Sequence, residues 1–260
     1  MKKYLKYLVC TAITLVLITL LALAYGSASK SRYLVDVPDN GIEVSFRDDY
    51  RFVSSDDIKG YINKYYGSVY GYRTDSLDLA GMERMLDRQS AVLKSQVWST
   101  ADGIVHVSVS QRKPVMRFQR PGGSFYIDDR ACIFPLQKGH SALVPVVDGD
   151  IPVNVPAGYK GPAPDAKSAA WLTEMLELAA FMKRSGIWEE NIAQITVDGS
   201  GNLTMIPRAG RERFLFGKPD DPAGKFARMS DYYRYILPEK GEGYYRSVNV
   251  KYDGQVICRK

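Results

Sequence analysis

An uncharged, apolar stretch near the N-terminus is the feature that most constrains how this chain can fold. Residues 7–29 contain no charged side chain and include the run LVCTAITLVLITLLALAYG. A helix rises about 1.5 Å per residue, so this stretch is long enough to cross a hydrocarbon core of about 30 Å. Helices of water-soluble domains are rarely apolar on every face over such a length. The sequence therefore predicts a transmembrane helix at residues 7–29.

Basic residues precede this stretch and predict its orientation. Three lysines lie within residues 1–6, and an excess of positive charge on the short side of a span predicts a cytoplasmic stub there. The bulk of the chain is then periplasmic. A cleaved secretory signal is the alternative, because residues 22–24 and 26–28 offer small side chains to a signal peptidase. The uncharged run exceeds the usual signal core of about 7 to 15 residues, which favours an uncleaved anchor.

Composition argues against several classes of protein. The formal net charge is +6, and without the three N-terminal lysines it is +3. That balance predicts no clustered basic face, so we expect no nucleic-acid partner. Cys10 lies in the apolar stretch. Cys132 and Cys258 can either pair or both stay reduced, because separation in sequence does not define their geometry.

Residues typical of catalysis or metal binding do not form a recognisable pattern. The two histidines, His106 and His140, lack the spacing of metal ligands or of a base beside a nucleophile. Adjacent side chains such as Glu189 and Glu190 diverge and do not converge on one substrate. Residues 199–201 lack the lysine and the helix of a phosphate-binding loop. We therefore predict a protein that is not an enzyme and that uses no cofactor, metal or small-molecule substrate.

The sequence pattern of residues 36–115 predicts a small domain with the order strand, helix, helix, strand, strand. Apolar and polar residues alternate in its strands, as expected for half-buried strands. Ser54 followed by Asp57 is typical of a helix N-cap. The expected elements are a strand at 41–46, helices beginning after Ser54 and Asp78, and strands at 92–99 and 104–111.

Residues 116–260 predict a mixed β-sheet domain with covering helices. Short apolar runs are separated by turn residues, and two longer segments carry apolar residues at helical spacing. Helices are expected near residues 165–185 and 222–237. Strands are expected at 125–128, 132–136, 143–147, 191–197, 203–207, 214–217 and 244–252, with a short continuation at 255–258. The fold class is α+β, preceded by the transmembrane helix.

Five short segments occur in an order and spacing typical of one protein family. They are FVSSDDI (52–58), SLDL (76–79), VSQRKPV (109–115), YIDD with IFP (126–135) and VNVKYDG (248–254). Together they resemble the bacterial cell-division protein family FtsQ, known as DivIB in Gram-positive species. Three departures from the family pattern are Arg130-Ala131 in place of the usual glycine turn, Asn249 in place of Asp, and Lys251 in place of Arg.

The resemblance implies a fold and a function. Residues 36–115 would be the polypeptide-transport-associated (POTRA) domain, and residues 116–260 the FtsQ-type β domain. The function implied is a divisome scaffold of the inner membrane, enriched at the septum. It would bind the coiled-coil proteins FtsB and FtsL in the periplasm and help control septal peptidoglycan synthesis. A periplasmic binding protein released by signal cleavage and a POTRA-containing envelope assembly or secretion factor are the alternatives.

The C-terminal strand is the predicted partner site. A strand at a sheet edge leaves a row of main-chain groups unpaired, and a partner strand can complete the ladder. We expect residues 244–252 to form this edge, with Tyr252 as the aromatic anchor and Lys251 as a charge for an acidic partner. The alternative is an ordinary last strand with Tyr252 packed inward. The predicted partner-binding residues are Val248, Asn249, Val250, Lys251, Tyr252, Asp253 and Gly254.

Overall fold

The computed structural model describes residues 2–31, 41–48, 52–100, 102–137 and 139–260. It divides into two compact units, Met1–Gln111 and Arg112–Lys260. The first begins with helix α1 (Lys2–Ser31), in which the side chains at positions 11–26 are exposed. Among the residues that the structure describes, no helix reaches the length and apolarity needed to cross a bilayer. The predicted transmembrane helix at residues 7–29 is therefore not confirmed.

A three-stranded sheet, two α-helices and a short 3-10 helix (Thr74–Ser76) form the rest of the first unit where the structure describes it. Strand β1 (Ile42–Phe46) pairs in parallel with β3 (Val105–Gln111), and β3 pairs antiparallel with β2 (Val92–Ser99). Helices α2 (Ser55–Tyr66) and α3 (Leu79–Asp87) come between β1 and β2 in the chain. The predicted order strand, helix, helix, strand, strand is confirmed.

Side-chain caps start both helices at the predicted residues. The Ser54 hydroxyl accepts the Asp57 N–H at 3.1 Å, and the Asp57 carboxylate accepts the Ser54 N–H at 2.9 Å. This reciprocal pair satisfies two of the amide groups that a helix leaves unpaired at its start. At α3, the Asp78 carboxylate accepts the Gly81 N–H at 2.7 Å. Helix α2 then buries Ile58 and Ile62 in the core of the unit.

A nine-stranded mixed sheet forms the second unit. Its order is β12-β11-β10-β9-β8-β7-β4-β5-β6, with parallel pairs at β4/β7, β7/β8 and β10/β11. The strands are β4 (Pro114–Phe118), β5 (Phe125–Asp128), β6 (Ile133–Pro135), β7 (Val146–Gly149), β8 (Ile192–Val197), β9 (Leu203–Pro207), β10 (Arg213–Gly217), β11 (Ser247–Asn249) and β12 (Ile257–Arg259). The predicted strands omit β4. Pro114 disfavours a strand interior, yet it stands at the first strand position, where proline is tolerated.

Helices pack their buried side chains together with those of the sheet to form the core of this unit. They are α4 (Ala166–Ser185), α5 (Trp188–Asn191), α6 (Pro222–Asp231) and α7 (Leu237–Lys240). A π turn, Tyr232–Ile236, joins α6 to α7. The predicted helix at 222–237 puts Tyr233 on its core face. Tyr233 does pack against the core, and Tyr232, on the same helical face three positions after Met229, is fully buried, edge-on to Phe214 with ring centroids 5.5 Å apart.

Buried Asp128 organises the hairpin between β5 and β6. Its carboxylate accepts the N–H groups of Arg130 at 3.0 Å and Cys132 at 2.9 Å, and the Arg112 guanidinium donates to it at 2.6 Å. Two segments of the family resemblance, around Arg112 and around Asp128, are thus joined by a buried ion pair. The turn requires a left-handed residue at Ala131, where φ is +58°.

Replacing Ala131 with glycine is expected to stabilise the protein by about 1 kcal/mol, because an L side chain in the left-handed region costs about 1–2 kcal/mol that glycine avoids. Chemical denaturation of Ala131→Gly and the parent protein measures the difference. Ala142→Gly, in an irregular segment without positive φ, is the control and should bring no gain. An unchanged or lower unfolding midpoint for Ala131→Gly would contradict the assignment of strain to this turn.

Candidate partner-binding site at the C-terminal strands

The C-terminal strands pair differently from the prediction. The sequence predicts one edge strand at residues 244–252, but β11 covers only Ser247–Asn249. It pairs in parallel with β10 on one side and antiparallel with β12 on the other. The main-chain groups of β11 are therefore used within the molecule, and the predicted edge is wrong. The chain turns back at Gly254, where φ is +66°, and this reversal places β12 at the edge.

The free side of β12 is centred on Cys258. The Arg213 N–H bonds to the Arg246 carbonyl, and the Val250 N–H bonds to the Leu215 carbonyl, so even-numbered residues of β11 face β10. Ser247 and Asn249 then face β12, where they pair with Arg259 and Ile257. Because main-chain directions alternate along a strand, the N–H and C=O of Cys258 point outward. Within the described chain, no strand lies on that side of β12.

The opposite edge of the sheet is covered. Ile133 in β6 donates its N–H to the Gly161 carbonyl at 2.8 Å and accepts the Gly161 N–H at 3.0 Å. Gly161 belongs to the proline- and glycine-rich loop before α4. This loop blocks the addition of a strand to β6, as is common for protected sheet edges. Of the two margins of the described sheet, β12 is therefore the one available to a partner.

The seven predicted site residues divide into a buried and an exposed group. Val248 and Val250 are fully buried in the core of the unit, so they can support a partner site but not contact a partner. Tyr252 is 54% exposed. The alternative in which Tyr252 packs inward is therefore excluded.

The remaining predicted residues shape the loop that carries Tyr252. The side-chain oxygen of Asn249 accepts the Lys251 N–H at 3.0 Å. The aliphatic stem of Lys251 lies against Gly217, where an added Cβ would come within 3.0 Å of it. Asp253 and Gly254 are exposed and form the turn into β12. These contacts fix the conformation of the loop that carries Tyr252.

Arg228, a buried residue of α6, holds this loop and is not among the residues predicted from the sequence. Its Nε donates to the Val250 carbonyl at 3.0 Å, and its Nη1 donates to the Asp253 carboxylate at 2.9 Å. A weaker contact of 3.6 Å links its Nη2 to Asp221. The available signal was a basic residue between the core residues Phe226 and Met229 of a helix. Arg228 thus ties both ends of the loop around Tyr252 to α6.

Positive charge and exposed aromatic groups surround the β12 edge. Lys251, Arg259 and Lys260 lie in or beside the last two strands, while the nearby Asp253 carboxylate is paired with Arg228. The Lys260 ammonium lies 4.3 Å from the ring centroid of Tyr244 and lowers the pKa of the Tyr244 hydroxyl through hydrogen bonding and charge. This combination suits a partner segment with acidic and apolar side chains.

Both cysteines of the second unit are free thiols, and partial burial raises the pKa of each. Cys132 precedes β6 and Cys258 lies in β12, at opposite ends of the nine-stranded sheet. Eight inter-strand spacings of about 4.8 Å separate those strands by about 38 Å, far beyond disulfide geometry. A bridge within one molecule is therefore excluded, which resolves the alternatives that the sequence leaves open.

The two units define a class of two-domain α+β protein, in which a small mixed domain precedes in sequence a β domain with an open edge strand. Residues 40–110 match the model of the POTRA-like domain, and residues 113–259, more than half of the chain, match the model described as FtsQ/DivIB, C-terminal related. The chain therefore belongs to the FtsQ/DivIB family and is a division-associated POTRA protein. Both matched domains are non-catalytic scaffold domains. No curated protein matches the chain significantly.

Proposed function

We propose that this protein is a divisome scaffold that binds FtsB- and FtsL-type coiled-coil proteins on the periplasmic side and so helps control septal peptidoglycan synthesis. In this proposal, a partner segment adds as a strand to β12. The observation that carries it is the open margin at Cys258 beside the exposed Tyr252. Family membership supports a division partner in general, and the open edge supports the mode of docking.

Because the edge strand is short, main-chain hydrogen bonds can supply only part of the binding affinity. β12 has only three residues, so an added strand forms few main-chain hydrogen bonds, each of which contributes about 0.5–1.5 kcal/mol net. Most of the affinity must then come from side chains. Tyr252 supplies a large aromatic surface, and the basic residues Lys251, Arg259 and Lys260 attract an acidic partner.

Cys258→Pro tests the strand-addition step, because it removes the outward N–H while leaving the bonds between β11 and β12 in place. Proline is tolerated on edge strands whose N–H faces solvent. We expect the affinity for a purified FtsB–FtsL-type complex to fall about tenfold, which corresponds to about 1.4 kcal/mol.

Cys258→Ala is the matched control, since it loses the thiol and keeps the N–H. It should bind within about twofold of the parent protein, because its main-chain hydrogen bonds are unchanged. Thermal unfolding of both variants checks that β12 is retained. Equal affinities for the proline and alanine variants would contradict strand addition at this edge.

The proposal also places the protein in the inner membrane at the septum, with a cytoplasmic N-terminus. The support is the uncharged stretch at residues 7–29 after three lysines, together with the exposure of apolar side chains such as Leu15, Leu21 and Leu23 on α1. An N-terminal fluorescent fusion should form midcell bands and remain with membranes after an alkaline carbonate wash. An even signal, or release by the wash, would contradict this placement.

A further inference from the structure

A groove between α2 and α3 of the first unit is lined by tyrosines and arginines. Its volume is about 480 Å³. Tyr65 and Tyr66, the last residues of α2, line it from one helix, and Arg84, Met85 and Arg88 line it from the other. Tyrosine and arginine are enriched at the energetic centres of protein interfaces. The groove therefore has the composition of a binding surface, and it lies in a different unit from the β12 edge.

Gly81 allows this groove to take its shape. The Tyr66 hydroxyl lies so close to the first turn of α3 that a Cβ at Gly81 would come within 2.5 Å of it. A side chain there would also approach the Asp78 carboxylate that caps α3. The absence of a side chain at Gly81 thus lets the phenol ring lie across the start of α3.

The arginines form a local positive site within an acidic stretch of the chain, residues 41–111. Residues 41–111 contain eight Lys and Arg against ten Asp and Glu. Arg84 has only a 3.6 Å contact with Asp78, whose carboxylate also caps the helix. Arg88 is exposed and has no carboxylate partner among the residues that the structure describes. Both guanidinium groups are therefore available to an external anion.

The spacing of the arginines identifies the kind of anion. Arg84 and Arg88 are one helical turn apart, so their Cβ atoms are about 5–6 Å apart. Carboxylates two residues apart in an extended peptide are separated by about 6.6 Å and lie on the same side. Side chains at the intervening positions of such a peptide point the other way.

We propose that the groove binds an extended acidic peptide segment of a partner protein. Its alternate carboxylates contact Arg84 and Arg88, and its intervening aromatic side chains pack against Tyr65 and Tyr66. An anionic membrane surface fits less well, because residues 41–111, which contain the groove, carry net negative charge and membrane binding depends on summed basic charge. This site is independent of the strand-addition site on β12.

Fluorescence anisotropy with the full-length protein in detergent tests the proposal, using a labelled peptide of sequence GDFDFDFG. We expect the Arg84→Gln/Arg88→Gln double variant to bind about tenfold more weakly than the parent protein, because two charge-assisted contacts are lost. Glutamine retains a helix propensity close to that of arginine. Arg73→Gln is the control, since Arg73 lies outside the groove and pairs with Asp75 at 2.6 Å, and it should bind normally.

A peptide with asparagine in place of each aspartate gives a second readout on the unmodified protein, and its binding should be lost. Equal affinity for the acidic and the asparagine peptide would overturn the proposal, as would undiminished binding by the double variant or no binding at about 1 mM peptide. Vesicles of phosphatidylglycerol serve as the third probe. If the full-length protein, held in phosphatidylcholine vesicles, captures them in an arginine-dependent manner and ignores the peptide, the groove is a lipid site and the proposal fails.

Discussion

Replacing Tyr252 with alanine is expected to weaken partner binding by about 2 kcal/mol, or about thirtyfold in Kd, while leaving the fold intact. Tyr252 is 54% exposed on the loop before β12, so its removal leaves no cavity in the core. Its loss should instead remove the largest aromatic surface beside the open edge. Isothermal titration with a purified FtsB–FtsL-type complex measures the change in Kd.

Tyr235 provides the matched control for this prediction. It is 60% exposed and lies on the π turn between α6 and α7, so Tyr235→Ala removes a similar surface away from β12. This control should bind the partner within about twofold of the parent protein, as is usual for residues outside an interface centre. If Tyr252→Ala captures the partner as well as Tyr235→Ala does, the assignment of Tyr252 as the anchor is wrong.

Arg228→Met is expected to lower the free energy of unfolding by about 2 kcal/mol, because the buried Val250 carbonyl loses its donor. Methionine keeps much of the side-chain volume, so the loss reports mainly on the hydrogen bonds. The exposed carboxylates of Asp221 and Asp253 can be solvated once the guanidinium is gone. Urea denaturation of the purified protein measures the change in stability.

The same variant should also loosen the loop that carries Tyr252. Amide hydrogen exchange across residues 250–254 is expected to accelerate, and partner affinity should fall, since Arg228 positions the loop without touching the partner. Arg234→Met is the control, because Arg234 is exposed on the adjoining π turn, and it should change stability by less than about 0.5 kcal/mol. Unchanged exchange in the loop of Arg228→Met would refute the positioning role.

Local chemistry explains why much of the first unit is predictable from sequence. A helix cap depends on residues three positions apart, so Ser54 with Asp57 and Asp78 with Gly81 indicate helix starts that the structure confirms. Strand alternation is likewise local, and β2 begins and ends as predicted. The family resemblance also rests on short contiguous segments, and the matches to the POTRA-like and FtsQ/DivIB models confirm it.

The candidate site depends on contacts between distant parts of the chain. A strand's neighbours are set by long-range pairing and not by its own residues, so nothing within residues 244–252 indicates that β12 covers β11. Arg228 likewise contacts a loop more than twenty positions away, and the groove between α2 and α3 brings Tyr66 close to Gly81, fifteen positions later in the chain. The sequence by itself determined the order of strands and helices in the first unit, the starts of α2 and α3, and the family, because each depends on residues close together in the chain. Only the tertiary structure decided which strand is the open edge, because sheet order and side-chain burial arise from packing across the whole domain.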